Sequence, residues 1–206
     1  MLIIGICGAS ASGKSTLAKA IHERLDNSLI ITQDCYYFDR AQLPFEERCR
    51  INYDDPLSFD HALLLSDMTR LSKDEAIAQK GYDYVNHCRA DTNEPVGPTD
   101  VAIIEGIHAF YDEALRDKMD FKLYMQVDAD VCLLRRVKRD IRKRGREIES
   151  IYAQYLESVK PMYDLHIRNY SKHADVIVAG GGKNQAIVDV LVHYIQSGIK
   201  TGGIVT

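Results

Sequence analysis

Gly8-Ala9-Ser10-Ala11-Ser12-Gly13-Lys14-Ser15 satisfies G-x-x-x-x-G-K-[ST] at every fixed position, and Thr16 follows it. This spacing turns successive backbone N–H groups toward one point, and a helix opening there adds the positive end of its dipole. The chemistry is phosphate binding. Residues 8–16 are expected to cradle ATP or GTP, with Lys14 bridging the β- and γ-phosphates and Ser15 setting its hydroxyl on Mg²⁺. No N-K-x-D element, the mark of guanine-specific switches, accompanies the loop.

Two acids follow apolar runs. Asp34 comes just after Ser28–Thr32, and Glu105 just after Val101–Ile104. Phosphoryl transfer needs one acid near the metal and one residue to orient the attacking hydroxyl. Val101–Ile104 reads as a Walker-B strand, which assigns Glu105 to Mg²⁺ or its waters and leaves Asp34 for the acceptor hydroxyl. With an ordinary pKa near ~4, an aspartate contributes more by positioning than as a base. The plainer role for either acid is a helix cap.

A basic segment completes the set. Arg135, Arg136, Lys138, Arg139, Arg142, Lys143, Arg144 and Arg146 crowd together, interrupted by Asp140, in a chain whose formal net charge is −4. Such density in an acidic chain points to a bound polyanion. Leu133, Val137 and Ile141 recur every fourth residue and predict the face that meets the core. Arg135, Lys138, Arg142 and Lys143 fit a solvated face equally well. Arg144-Gly145-Arg146 marks a flexible end, so residues 140–150 read as a lid over phosphates.

These residues need a scaffold, and the rest of the chain supplies one. Leu2–Cys7, Ser28–Thr32, Val101–Ile104, Lys122–Val127 and Asp175–Ala179 are short enough to be buried strands. Helical patterns lie between them over Lys14–Asp26, Ser58–Ser72, Ala129–Arg144, Glu147–Tyr170 and Asn184–Gln196. The alternation predicts an α/β fold of the P-loop NTPase type, a parallel sheet with helices on both faces. Ligands in such sheets lie beyond the carboxyl ends of the strands, where Asp34 and Glu105 stand. Tyr36–Pro56 is an aromatic-rich connection, residues 80–98 read as a hairpin insertion, and the glycine-rich end, 197–206, is expected to fray.

The 206 residues suit a single domain. The acidic balance argues against nucleic acid as the main partner, and no apolar run is long enough for a membrane span. Five scattered cysteines without a C-x-x-C pair predict a reduced compartment, the cytoplasm.

The ordered pieces together resemble the uridine kinase (uridine–cytidine kinase) family of P-loop kinases. They include Gly5 to Ser15, Gln33-Asp34-Cys35-Tyr36-Tyr37, Asn52-Tyr53-Asp54-Asp55-Pro56, Tyr82-Asp83-Tyr84 with His87 and Arg89, and Glu105-Gly106-Ile107. Later come Arg135 to Ile141, Arg144-Gly145-Arg146, Gln154-Tyr155 and Ala174-Asp175-Val176-Ile177. The resemblance implies a kinase that phosphorylates the 5′-hydroxyl of uridine or cytidine, with Asp34, Lys14 and Arg139 catalytic. It implies Asp54 and Gln154 on the ribose, Tyr82 and His87 on the pyrimidine edge, and Tyr84 packing on the base. Arg136 and Arg146 fall on the nucleoside side, Arg139 and Arg144 on the phosphates, and the assembly is a homo-oligomer, tetramer or dimer. Lys80-Gly81 stand where the family usually has proline and an aliphatic residue, and Ala179-Gly180 where it has proline and arginine. Those departures bear on the identity of the acceptor more than on catalysis. The other readings are a related kinase for nicotinamide riboside or a sugar phosphate, and a non-catalytic NTP-binding module.

Overall fold

A computed structural model of the chain describes residues 1–201. β1 (Leu2–Gly8) leads through the phosphate loop into α1 (Lys14–His22), and β2 (Ser28–Thr32) runs into a 3-10 turn, Gln33–Tyr36. α2 (Phe45–Cys49) and the turn Pro56–Ser58 precede α3 (His61–Leu71). Four two-residue strands follow: β3 (Ile77–Ala78), β4 (Tyr82–Asp83), β5 (Cys88–Arg89) and β6 (Pro95–Val96). Then come β7 (Val101–Glu105), α4 (Glu113–Arg116), β8 (Phe121–Gln126), α5 (Ala129–Arg144), α6 (Ile148–Gln154), α7 (Lys160–Leu165), β9 (Val176–Ala179) and α8 (Gln185–Thr201).

The long strands form one parallel sheet in the order β2-β7-β1-β8-β9. Alternation along each strand divides the core in two. Ile3 and Cys7 of β1 with Ala102 and Ile104 of β7 face a layer holding Leu64, Met68 and Leu71 of α3 and Leu115 of α4. Ile4 and Ile6 with Val101 and Ile103 face Leu17, Ala18 and Ile21 of α1 and Val188, Leu191, Val192 and Ile195 of α8. The central strands β1 and β7 are continuous buried runs because both their faces are covered. Register sets the site: Thr32 pairs with Glu105, and Ile6 pairs with Glu105 from the other side. The ends of β2, β7 and β1 therefore meet at one rim, where Asp34, Glu105 and the phosphate loop emerge.

Several boundaries differ from the sequence pattern. α1 stops at His22, whose Nδ1 lies 2.7 Å from Ser28 Oγ at the start of β2. α3 begins only at His61, because the Asp60 side chain caps it by accepting from Leu63 N at 2.9 Å. The single helix expected over Glu147–Tyr170 runs unbroken from α6 through a π turn at Tyr155–Val159 to the end of α7, and then gives way to a 3-10 stretch at Ile167–His173. The π turn brings Ser158 round toward Asp54, and Pro161 has no N–H to continue a ladder. The last helix continues through residues expected to fray, as far as Thr201, and the remainder of that end lies outside the described residues.

The predicted core face of α5 is corrected by one residue. Cys132, Arg136 and Asp140 are the buried stripe, whereas Leu133 and Val137 are half-buried and Ile141 is 44% exposed. Residues 80–98 do form hairpins, β4 against β5 inside β3 against β6, and neither pair joins the main sheet. No helix among the described residues is long and apolar enough to cross a membrane. Ile103 is fully buried in the central strands, so Ile103→Ala is expected to lower unfolding free energy in urea by about 2–5 kcal/mol.

Candidate active site

The phosphate loop is built on a glycine that no other residue replaces easily. Gly13 has φ +104°, and a Cβ there would stand 2.8 Å from Gly182 N. Lys14 opens α1, is nearly buried, and donates from Nζ to Ala9 O at 2.8 Å across the loop. Ser15 Oγ donates to Glu105 Oε1 at 3.1 Å. Burial pushes the Glu105 carboxyl up and the Lys14 ammonium down, and each group's charge draws the other back.

A groove of about 810 Å³ runs over this loop. Ser10, Ala11, Gly13, Lys14, Ser15 and Thr16 line its floor, with Glu105 at one side and Arg139 and Arg144 at the other. Gly8, Ala9 and Ser12 do not line it: Gly8 ends β1, and Ser12 is fully buried. Arg135 and Lys143, which suited a solvated face, border the groove, while Lys138 and Arg142 do not.

A second cavity, of about 270 Å³, adjoins it. Every residue expected on the acceptor lines this one: Asp54, Tyr82, Tyr84, His87, Arg136, Arg146 and Gln154. Asp34, Tyr84, Arg139 and Arg144 line both cavities, so the Asp34 carboxylate stands at their junction. Tyr84 Oη donates to Asp34 Oδ2 at 3.3 Å, and the Arg144 guanidinium lies over the Tyr84 ring, 4.5 Å from its centroid. The end of α5 and the left-handed Gly145 that closes it therefore reach back onto the hairpin.

Buried Asp54 accepts from Ser158 Oγ at 3.2 Å, with Arg136 Nη1 at 3.9 Å. Burial raises its carboxyl and Arg136 opposes that shift. Arg136 Nη2 donates to Gln154 Oε1 at 2.9 Å and Nη1 to Ser10 Oγ at 2.9 Å, and Arg146 also donates to Gln154. The His87 ring stacks on Tyr53, with centroids 5.0 Å apart and planes at 15°. Burial and the nearby Arg146 hold His87 below the usual imidazole range, so it stays neutral and offers one donor and one acceptor.

Sequence reasoning missed four kinds of contributor. Tyr37, Phe45 and Tyr53 wall the acceptor cavity from the aromatic-rich connection, where no periodicity singles them out. His108 is fully buried behind the site, with Nε2 2.6 Å from Asp54 O and Nδ1 2.9 Å from Tyr170 Oη. Since the carbonyl can only accept, Nε2–H donates and Nδ1 accepts from the tyrosine. Gln33, also fully buried, accepts from His108 N at 2.9 Å and so ties the turn carrying Asp34 to the end of β7. Asp140 has no exposed surface and faces the arginines: Arg139 Nε at 2.8 Å, Arg144 Nη1 at 3.5 Å, Arg136 Nε at 3.6 Å and Arg146 Nη1 at 4.0 Å. Its one signal in the sequence is an acid interrupting the basic run. Of the departures, Lys80, Gly81, Ala179 and Gly180 line neither cavity.

A carboxylate between two adjoining cavities, one of them floored by a phosphate loop, suits transfer of a phosphoryl group from one bound molecule to another, and the chain is a P-loop kinase. It belongs to the phosphoribulokinase / uridine kinase family, whose model matches residues 3–186. Over 205 residues it is 42% identical to the uridine kinase of Anoxybacillus flavithermus, covering 98% of this chain and 97% of that one. It is 43% identical over 205 residues to the uridine kinase of Vibrio campbellii, covering 97% and 96%. The solved phosphoribulokinase from Rhodobacter spheroides shares the fold, with a TM-score of 0.60 at 15% identity over 86% of this chain and 69% of that one.

Burial lowers the His108 pKa to about 3. Below its unfolded value near ~6.5 the unfolded chain binds a proton that the folded chain refuses, so stability declines as pH falls toward the folded value. Urea unfolding at pH 7 and pH 5 is expected to show an acid loss about 2 kcal/mol larger in wild type than in His108→Gln. Asp140→Asn leaves the arginines facing a neutral amide and is expected to cost about 3–5 kcal/mol by the same method at pH 7.

Proposed function

We propose that this kinase transfers the γ-phosphoryl group of ATP or GTP to the 5′-hydroxyl of uridine or cytidine. The observation that carries the reading is Asp34 shared between the two cavities, one with phosphate-binding chemistry and one with nucleoside-binding chemistry. The uridine kinases that match nearly the whole chain support the same acceptor class.

Lys14, Arg139 and Arg144 hold the phosphates by charge, and the loop N–H groups fix their direction. The Ser15 hydroxyl and Glu105 carboxylate are hard oxygen donors 3.1 Å apart, which fit Mg²⁺. When bound, that ion would neutralise charge on the β- and γ-phosphate oxygens. Asp34 aims the acceptor hydroxyl and takes its proton as the new O–P bond forms and the bond from the γ-phosphorus to the bridging oxygen breaks, leaving the nucleoside diphosphate. Asp54, held by Ser158 and Arg136, accepts from the ribose hydroxyls, with Gln154 beside it. Tyr84 and Tyr53 offer ring faces to a pyrimidine, and Tyr82 and His87 offer hydrogen bonds to its edge. Residues 140–150 act as the lid, since Arg144 already rests on Tyr84. The chain works in the cytoplasm as a homo-oligomer, a tetramer or dimer.

The decisive test is a panel of uridine, cytidine, nicotinamide riboside and sugar phosphates with detection of phosphorylated product. Uridine and cytidine are expected to lead, and preference for another acceptor overturns the reading. Asp34→Asn keeps the shape but cannot take the proton, and is expected to lower kcat roughly 10²–10⁴-fold with little change in nucleoside KM. A changed KM with normal kcat would make Asp34 a binding residue only.

A further inference from the structure

The hairpin that carries Tyr82, Tyr84 and His87 hangs outside the main sheet, and its strands are two residues long. A ladder that short does not hold itself in one place. Gly81 brings the two arms close, since a Cβ there would lie 2.4 Å from Ala90 O, and Gly81 N donates to Asp91 Oδ1 at 3.2 Å. That fixes the two arms to each other, while Tyr84 on Asp34 and His87 on Tyr53 meet the body within the site itself.

A tie to the body that lies outside both cavities is Lys80. Its side chain is only 13% exposed, and Nζ lies 3.5 Å from Asp67 Oδ2 of α3 and 4.0 Å from Asp91 Oδ2. Asp67 is 4% exposed at its side chain, so the pair with Lys80 is screened little by water. The same Asp67 oxygen accepts from Tyr36 Oη at 3.0 Å. Tyr36 is two residues after Asp34, and Lys80 is two residues before Tyr82. One buried carboxylate therefore holds, on one side, the turn that bears the acid and, on the other, the arm that bears the acceptor contacts.

We propose that Lys80, through Asp67, is a positioning residue that sets the distance between the acceptor-recognising hairpin and Asp34. Lys80 touches neither cavity and acts through Tyr82 and Tyr84, which line the acceptor cavity and border the phosphate groove, whereas Lys14, Arg139 and Arg144, the groups for the phosphates, lie off the hairpin. The inference deepens the nucleoside kinase reading and rests on it for the identity of the acceptor.

Lys80→Met keeps the length of the side chain and removes its charge. With whichever acceptor the wild type uses best, KM for that acceptor is expected to rise about tenfold. The KM for ATP and the kcat are expected to stay near wild type, and Lys80→Arg is expected to restore most of the loss. Hydrogen exchange is expected to quicken over residues 79–92 and to stay unchanged in the phosphate loop. A lower Tm with unchanged acceptor KM would show a merely structural role and overturn the proposal. An equal rise in the KM for ATP would also overturn it, as would unaltered exchange in the hairpin. If Lys80→Met does not fold, Asp67→Asn/Lys80→Met removes both charges and is held to the same outcomes. A wild type that phosphorylates no nucleoside would defeat the functional reading, while the exchange experiment would still decide whether Lys80 anchors the hairpin.

Discussion

The attraction between one buried carboxylate and the guanidinium groups around it holds the two halves of this site together. Arg136, Arg139, Arg144 and Arg146 all approach Asp140 within 4.0 Å. Like charges about 4 Å apart repel by about 4 kcal/mol each at an effective dielectric of about 20, so such a cluster needs an anion at its centre. The arginines pull their neighbour's carboxyl below the usual carboxylate range even though burial pushes the other way. Arg136 then extends the network to Ser10 in the phosphate loop and to Gln154 in α6. Donor groove, acceptor cavity and lid turn are in this way one electrostatic unit, still carrying excess positive charge toward the place where phosphates bind.

Much of this was legible in the residues. Each of the five long strands matches an apolar run, most clearly β1 and β7, where a strand buried on both faces has no polar side to blur the pattern. The phosphate loop was legible because its spacing is imposed by backbone geometry. The face of α5 was not. Hydrophobic periodicity selects Leu133, Val137 and Ile141, whereas the buried stripe contains Arg136 and Asp140, which enter the interior only because they neutralise one another. The π turn after Gln154 was equally hidden, since it costs one extra residue and leaves the helical composition unchanged. Tyr37 and Tyr53 lie on irregular chain and Phe45 opens the short α2, and their role follows from packing across the cavity and from no local rule.

Lys80 shows how a departure from a family pattern can read one way in sequence and another in space. Beside Tyr82 it suggests an altered base pocket. Its ammonium instead points away from the pocket to Asp67, and the accompanying Gly81 answers to the close approach of Ala90. The neutral His108 plays a comparable part beside Asp54, bracing its carbonyl from behind with a proton it keeps on Nε2. The groups that touch ligands are thus backed by a layer of buried polar residues that touch none.

The hairpins share no ladder hydrogen bond with the five-stranded sheet. Mutations there leave the register of β1, β2 and β7 alone, and with it the phosphate loop and Glu105. Natural selection can therefore rewrite the acceptor while inheriting the donor machinery intact. A family whose own name joins a phosphoribulokinase with a uridine kinase is the divergence that such modular construction permits.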